Sequence, residues 1–452
     1  MKKELNGGLI LRSLSEGIAQ DAANLPIFYR DIFKAEGDPH AENLLPWTQD
    51  LIDRHPVVTE DDIWVIVDPA ADDKIVSAVL LIPQVWRCGD VMLPVGQVEL
   101  VGTDKDYRRR GLIRQLFEVA HARSAELGHV LQFIGGIPYF YRQFGYVMAM
   151  DVGMRHSVAL FSVPALKEGV QSQFTLRFAT YDDIPALMAF DAYYARHFTN
   201  FVSYYDETMW RYQIDGKRPD ATTNRDVMMI VNTSGDAVGY LMLHKPLING
   251  GHGLACIAYV VGPNTSYLAT YEDVMRGMNA FVKETYPEND VLMVSFAGGL
   301  TEAFDALAIE TGHALGPNMG LHTAPSIPYP WYLRVPDYVA LLKVMTPVLE
   351  DRLDGSAANQ YTGDLNMGLY KPYYLRITFE NGRVTHIGQH ELGDGAPFHV
   401  QFPDLTFLYL LSGYRTIDEL RQLYPDLQIA RNGRVLLEAL FPKQRSTITM
   451  TG

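Results

Sequence analysis

Cysteine is nearly absent from this chain: 452 residues carry two, Cys88 and Cys256. They lie far apart and fit no metal-binding or redox spacing, which excludes a disulfide framework and a thiolate metal centre and leaves two buried free thiols as the reading. Other metal signatures are missing as well: there is no H-E-x-x-H, no C-x-x-C and no histidine cluster, so no metal is expected. No run approaches the ~18 apolar residues a membrane-spanning helix needs. The opening MKKELNGGLILRSLSEG has a short apolar stretch and no small-residue cleavage site, so a cytoplasmic protein without membrane attachment is expected. Basic residues are in deficit, 38 Lys and Arg against 53 Asp and Glu, for a formal charge of −15. That argues against nucleic acid as a partner, because such binding depends on neutralising phosphates. The acidic balance would suit a cationic ligand, although acidity also serves solubility.

What is present is a globular composition, 48% hydrophobic and 20% charged, in a chain too long for one ordinary core. The sequence starts over after about residue 172. LILR at 9–12 is echoed by FTLR at 174–177, each followed by an amphipathic stretch that reads as helix. IWVIVDPAADDKIVSAVLLIP from Ile63 and VMMIVNTSGDAVGYLMLHKP from Val227 share the order strand, polar turn, strand. VELVG at 98–102 then corresponds to AYVVG at 258–262, the offset having fallen from 165 at Arg12 and Arg177 to 160 at Gly102 and Gly262. At that offset Arg108 to Gly111 fall opposite Leu268, Ala269, Thr270 and Tyr271, so the second copy keeps the strands and lacks a basic turn.

APSIPYP at 324–330 reads as a linker. Beyond it YVALLKVMTPVLEDRL predicts an amphipathic helix, and YLRITFENGRVTHIG a hairpin with Asn381-Gly382 at its tip. Thr416 and Glu419 are spaced as a capping box. The predicted class is α/β with mixed sheets, divided into units at 1–165 and 172–323 and an α+β unit at 331–452.

The stretch DYRRRGLIRQLF, from Asp106, puts three arginines and a glycine ahead of Leu112, Ile113, Leu116, Phe117 and Ala120, which recur at helical spacing. A cation at a helix N-terminus costs ~0.3–1 kcal/mol where an anion gains as much. No Ser, Thr, Asn or Asp immediately precedes the helix to cap its amides. A phosphorylated ligand would take both the amides and the charge, with Gly111 letting the backbone approach it. The alternative is a solvated basic turn.

R-x-x-G between a strand and a helix resembles the pyrophosphate loop of the GNAT acyltransferases. Arg108-Arg109-Arg110-Gly111-Leu112-Ile113-Arg114 departs from the common form at Ile113, where a small residue is usual, and is similar there to the Eis-like (enhanced intracellular survival) N-acetyltransferases. GGIPYFYRQFGY, from Gly135, resembles that family's Y-G-R-F-G-Y element through Tyr141, Arg142, Phe144, Gly145 and Tyr146. The resemblance implies an active GNAT domain at 1–165, a second GNAT-like domain at 172–323 without the phosphate loop, and a domain like a sterol carrier protein at 331–452. It implies acetyl-CoA as co-substrate, acetyl transfer to a primary amine of an aminoglycoside, polyamine or lysine side chain, and a homo-oligomer such as a hexamer.

By the same resemblance Tyr141 is the general acid, and backbone groups of Val101, Gly102 and Thr103 pair with the pantetheine arm. Arg109, Arg110, Gly111, Leu112, Ile113 and Arg114 would line the pyrophosphate, and Gly136 and Ile137 make a further cofactor contact. Ordinary packing is the alternative for each, and a core aromatic the alternative for Tyr141. In the Eis-like enzymes the terminal carboxylate is the base. Here LLEALF ends at Phe441 but PKQRSTITMTG follows, so that carboxylate sits on Gly452. Glu99, on the strand face of Val101 and Thr103, is an alternative base, or else a solvent-facing or salt-bridged carboxylate. A non-catalytic acyl-CoA sensor and a lipid-binding protein acting through the C-terminal unit are the rival functions.

Overall fold

The computed structural model describes residues 2–151, 156–296, 330–393 and 398–449. The first half contains β1 (Lys2–Glu4), β2 (Ile10–Ser13), α1 (Ala19–Ala35), α2 (Leu44–Asp53), β3 (Ile63–Asp68), β4 (Lys74–Cys88), β5 (Val91–Thr103), α3 (Leu112–Glu126), β6 (Leu131–Ile134) and β7 (Val147–Asp151). Strands β1 to β5 pair antiparallel in sequence order, and β6 joins β5 in parallel after the α3 crossover. Leu81, Val98 and Ile134 face Leu112, Leu116 and Phe117 of α3, while Leu80, Ile82 and Leu100 face Leu25, Phe28 and Leu51 of α1 and α2. The alternation of strand side chains thus buries both faces of the sheet.

The second half repeats the plan with β8 (His156–Ala159), β9 (Phe174–Phe178), α4 (Ile184–His197), β10 (Val202–Tyr204), α5 (Glu207–Arg211), β11 (Arg225–Asn232), β12 (Ala237–Ile248), β13 (Gly253–Val261), α6 (Tyr267–Thr285) and β14 (Met293–Phe296). Its sheet runs β8-β14-β13-β12-β11-β9. The echo of LILR in FTLR has a structural cause. Arg12 grips the Asp21 carboxylate with two bonds of 2.8 Å at the start of α1, and Arg177 grips Asp183 at 2.6 and 2.7 Å just before α4. Bidentate pairs of this kind fix geometry as well as adding energy.

One expectation is corrected. Leu268 to Tyr271 lie inside α6, not in a turn, because the connection of residues 104–111 has shortened to residues 262–266. The counterpart of Gly111 is Ser266, whose hydroxyl accepts the amide of Ala269 at 3.1 Å as a conventional cap.

The third sheet runs β18 (Arg383–Glu391), β17 (Tyr373–Glu380), β16 (Gly363–Gly368), β19 (Val400–Gln401), β20 (Gln428–Ile429). Asn381 and Gly382 turn the β17–β18 hairpin at φ +50° and +77°, and Thr416 and Glu419 form the capping box. The single helix expected at YVALLKVMTPVLEDRL is two, α7 (Tyr338–Val344) and α8 (Thr346–Asp354): Pro347 cannot continue the first and is favoured in the first turn of the second. Both cysteines are free and buried.

The sheets exchange strands. The chain leaves β7 to pair β8 with β14 in the second sheet, then returns after the second half as β15 (Pro330–Arg334), antiparallel to both β6 and β7 in the first. The spans 1–165 and 331–452 therefore each lend a strand to a neighbour. Of the proline-rich segment, 324–329 lie outside the described residues and Pro330 opens β15.

Candidate active site

Strands β5 and β6 pair only from Val95 opposite Leu131 to Gln97 opposite Phe133, and then part. The β6-facing edge of β5 beyond Val98 has no strand partner among the described residues. On its other side β5 carries a bulge: Ala78 pairs with Gly102 and Leu80 with Glu99, so Leu100 and Val101 stand opposite Val79 alone. Leu100 takes φ +49° to make it. Bulges re-aim side chains, and this one keeps Leu100 on the α1 side beside Glu99, whose charge acts on the buried Tyr29, so Glu99 does not share the face of Val101 that simple alternation predicts.

A cavity of about 950 Å³ fills the gap. Glu99, Val101, Gly102 and Thr103 form one wall, and Gly136, Ile137 and Tyr141 the other. Arg109, Gly111, Leu112, Ile113 and Arg114 close one end. Twelve of the fourteen residues singled out from sequence are thus gathered there. Arg110 is not among the lining residues: its guanidinium lies 4.7 Å from the Tyr107 ring centre and donates to the Asp106 carbonyl at 3.2 Å. Gly452 lies outside the described residues.

At the start of α3, Gly111 is the N-cap at φ +76° and no side chain caps the helix. Arg108, Arg109, Arg110 and Arg114 are exposed around it. Arg108, part of the basic turn but not of the expected cofactor-lining set, pairs with Glu36 and donates to the Thr103 carbonyl at 3.3 Å, tying the end of α1 to the turn. Uncapped amides, a glycine free of a side chain and surrounding guanidinium groups make a site whose chemistry fits a pyrophosphate.

Glu99 is oriented by a relay. Trp86 Nε1 donates to Gln84 Oε1 at 3.2 Å, Gln84 donates to Gln97, and Gln97 Nε2 donates to Glu99 Oε2 at 2.6 Å. The Leu100 amide donates to the other carboxylate oxygen at 3.2 Å. Burial raises the Glu99 pKa, and these two hydrogen bonds offset part of the rise. No cation pairs with Glu99 among the described residues, and its side chain is half-buried in the cavity wall.

Tyr141 is 5% exposed on a short 3₁₀ turn, Phe140–Phe144. Gly136, at φ +126°, brings the facing loop so close that a Cβ there would lie 3.2 Å from the Tyr141 hydroxyl. The exchanged strand β15 finishes this wall. Trp331 lines the cavity, and Tyr332 packs edge-on to Tyr141 with ring centres 5.4 Å apart. The Tyr332 hydroxyl donates to the Ile137 carbonyl at 3.2 Å. Sequence reasoning missed Trp331 and Tyr332, as well as Ile32, Phe33, Leu44 and Trp47 from α1 and α2, which cover the opposite side. The amphipathic pattern of the two helices could have flagged the last four; nothing local marks the β15 pair.

Residues 30–149 match the family model described as an acetyltransferase (GNAT) domain. No curated protein matches the chain. Among solved structures it is similar to a GCN5-related N-acetyltransferase from Anabaena variabilis, with a TM-score of 0.66 and 13% identity over 97% of this chain and 99% of that one. A probable N-acyltransferase of Enterococcus faecalis gives 0.62 and 14% over 98% and 99%. Eis1 from Mycobacterium abscessus gives 0.60 and 12%, again over 98% and 99%. The fold is shared along essentially the whole chain.

Proposed function

We propose that this chain is an acetyl-CoA-dependent N-acetyltransferase that passes an acetyl group to a primary amine by direct attack on the thioester. The cavity carries the reading, since it gathers Glu99, Tyr141 and an unpaired strand edge. In this reading the start of α3, with Gly111, Arg109 and Arg114, binds pyrophosphate, while Arg110 lends its charge from outside the cavity wall. The backbone of Val101, Gly102 and Thr103 pairs with the pantetheine arm as an added strand would, and Gly136 and Ile137 touch its far side.

An alkylamine with a pKa near ~10.4 arrives charged. Glu99, held above the ordinary carboxylate range by burial, takes its proton directly or through a water. Nitrogen then bonds to the thioester carbon, the C–S bond breaks, and the departing thiolate, held by a hydrogen bond from Tyr141, takes up the second proton that the nitrogen sheds on becoming an amide. With reference values of ~10 for the phenol and ~8.5 for a thiol, full proton transfer is uphill by ~2 kcal/mol, so a strong hydrogen bond to sulfur suffices for Tyr141.

Thiol release measured over a panel of amines tests this reading, and Tyr141→Phe is expected to lower turnover while leaving acetyl-CoA affinity in place. Acetyl-CoA binding with no amine-dependent release would favour a sensor instead, and unchanged turnover in Tyr141→Phe would remove that residue from the mechanism. The cytoplasmic homo-oligomer belongs to the same proposal; a monomer on sedimentation of the purified chain would count against it.

A further inference from the structure

The two ends of the cavity differ in chemistry. Two of the three acidic lining residues are already engaged: Glu36 is paired with Arg108 at the arginine end, and Asp38, beside Phe33, turns Oδ1 back to the His40 amide at 2.8 Å. The third, Glu99, faces the half covered by α1 and α2. That cover is apolar, made of Ile32, Phe33, Leu44 and Trp47, all half-buried and packed on the core beneath. Two buried polar atoms, the Tyr29 hydroxyl and the Trp47 indole N–H, make no hydrogen bond among the described residues.

Such a wall discriminates by charge count. One ammonium can be matched by the Glu99 carboxylate. A second would have to shed water against an apolar surface whose other lining carboxylates, Glu36 and Asp38, are engaged elsewhere, and an unmatched buried charge is strongly disfavoured. An apolar body gains instead, at about 25 cal/mol for each Å² removed from water, or roughly 1.5–3 kcal/mol for a phenyl-sized group.

From this we infer that the acceptor is a hydrophobic monoamine, one primary ammonium on an aryl-alkyl or short alkyl body, rather than a polyamine, an aminoglycoside or a lysine in a peptide. The inference rests on the acetyl-transfer reading and narrows it. The acidity of the whole chain, which would suit a polycation, does not extend to this wall.

The test is kcat/KM by thiol release on the full chain with 2-phenylethylamine, n-hexylamine, spermidine, kanamycin and a lysine-containing peptide. The two monoamines are expected to exceed the other three by about tenfold or more, the equivalent of burying one such body. Trp47→Ala should raise KM for 2-phenylethylamine several-fold while changing spermidine little. A preference for spermidine, kanamycin or the peptide, or an equal effect of Trp47→Ala on every amine, overturns the inference and leaves acetyl transfer standing. Release with none of them while acetyl-CoA binds by calorimetry overturns both.

Discussion

The two halves share a plan and differ in where one strand bulges. In the first, the irregularity falls at Leu100, so that Glu99 and Leu100 both face the α1 side between Val98 and Val101 on the other. In the second, β13 pairs without a break from Val261 to Ala258, slips at Ile257 and slips again between Ala255 and Gly253. Tyr259, the sequence counterpart of Glu99, therefore points to the α6 side, where its hydroxyl meets Thr270 at 2.6 Å and its ring joins Tyr267 and Tyr271 in the core. Among the described residues a cavity of about 20 Å³ lies beside Ala258, Tyr259 and Val260. Thr447 and Thr449 of the tail close over it, bonded to Tyr194 and Tyr205 at 3.1 and 2.5 Å. At the offset of 160 the two irregularities lie three residues apart, at Leu100 and at the counterpart of Gln97.

Paired substitutions sharpen that contrast. The largest effect is expected at the shared sequence slot. Glu99→Gln should lower kcat/KM by about 10²–10⁴, the range for loss of a general base, and Tyr259→Phe should leave it unchanged. Because burial raises the Glu99 pKa, the acidic limb of the wild-type pH–rate profile should lie above the ordinary carboxylate value of ~4.3. Equal losses in the two variants would erase the distinction.

Next comes the acid the second half has buried. Asp191, bonded by the Tyr240 hydroxyl at 2.5 Å, has its pKa raised by burial to about 7. Between ~3.9 and that value the folded chain holds a proton the unfolded chain has released, so stability falls as pH rises through this window. The loss is on the order of 4 kcal/mol at most. Urea unfolding at pH 4 and pH 7.5 should show a smaller decline in Asp191→Asn than in the wild type.

At the helix starts the two halves should respond to different assays. Arg109→Ala is expected to weaken acetyl-CoA binding by about tenfold, the ~1.5–3 kcal/mol of a charged hydrogen bond, with Arg110→Ala adding less because its guanidinium rests on Tyr107. Ser266→Ala should cost ~1 kcal/mol of stability in a thermal melt and leave acetyl-CoA affinity alone. Unaltered affinity in Arg109→Ala would return the basic turn to mere solvation.

Arg108 to Gly111 stand out in the sequence by contradicting the preferences of a helix start, whereas Tyr141 stands out only through the resemblance of its segment to a family element, its aromatic setting reading as ordinary core. The repeat was visible too, but carrying one offset past Gly262 put Leu268 in a turn, although Ser266 ahead of an apolar run marked the true helix start. What could not be read depends on pairing across the fold. The bulge exists only in the register of β5 against β4, and Trp331 and Tyr332 reach the site on a strand from the other side of the second half.

That strand sets a timetable. A ribosome adding ~5–20 residues each second needs roughly 10–40 s to travel from the end of β7 to Trp331. Until then the first sheet has an open seam between β6 and β7, with Tyr141 lacking the neighbour that braces it. The chemistry proposed for the first half is thus withheld until the second half has been made.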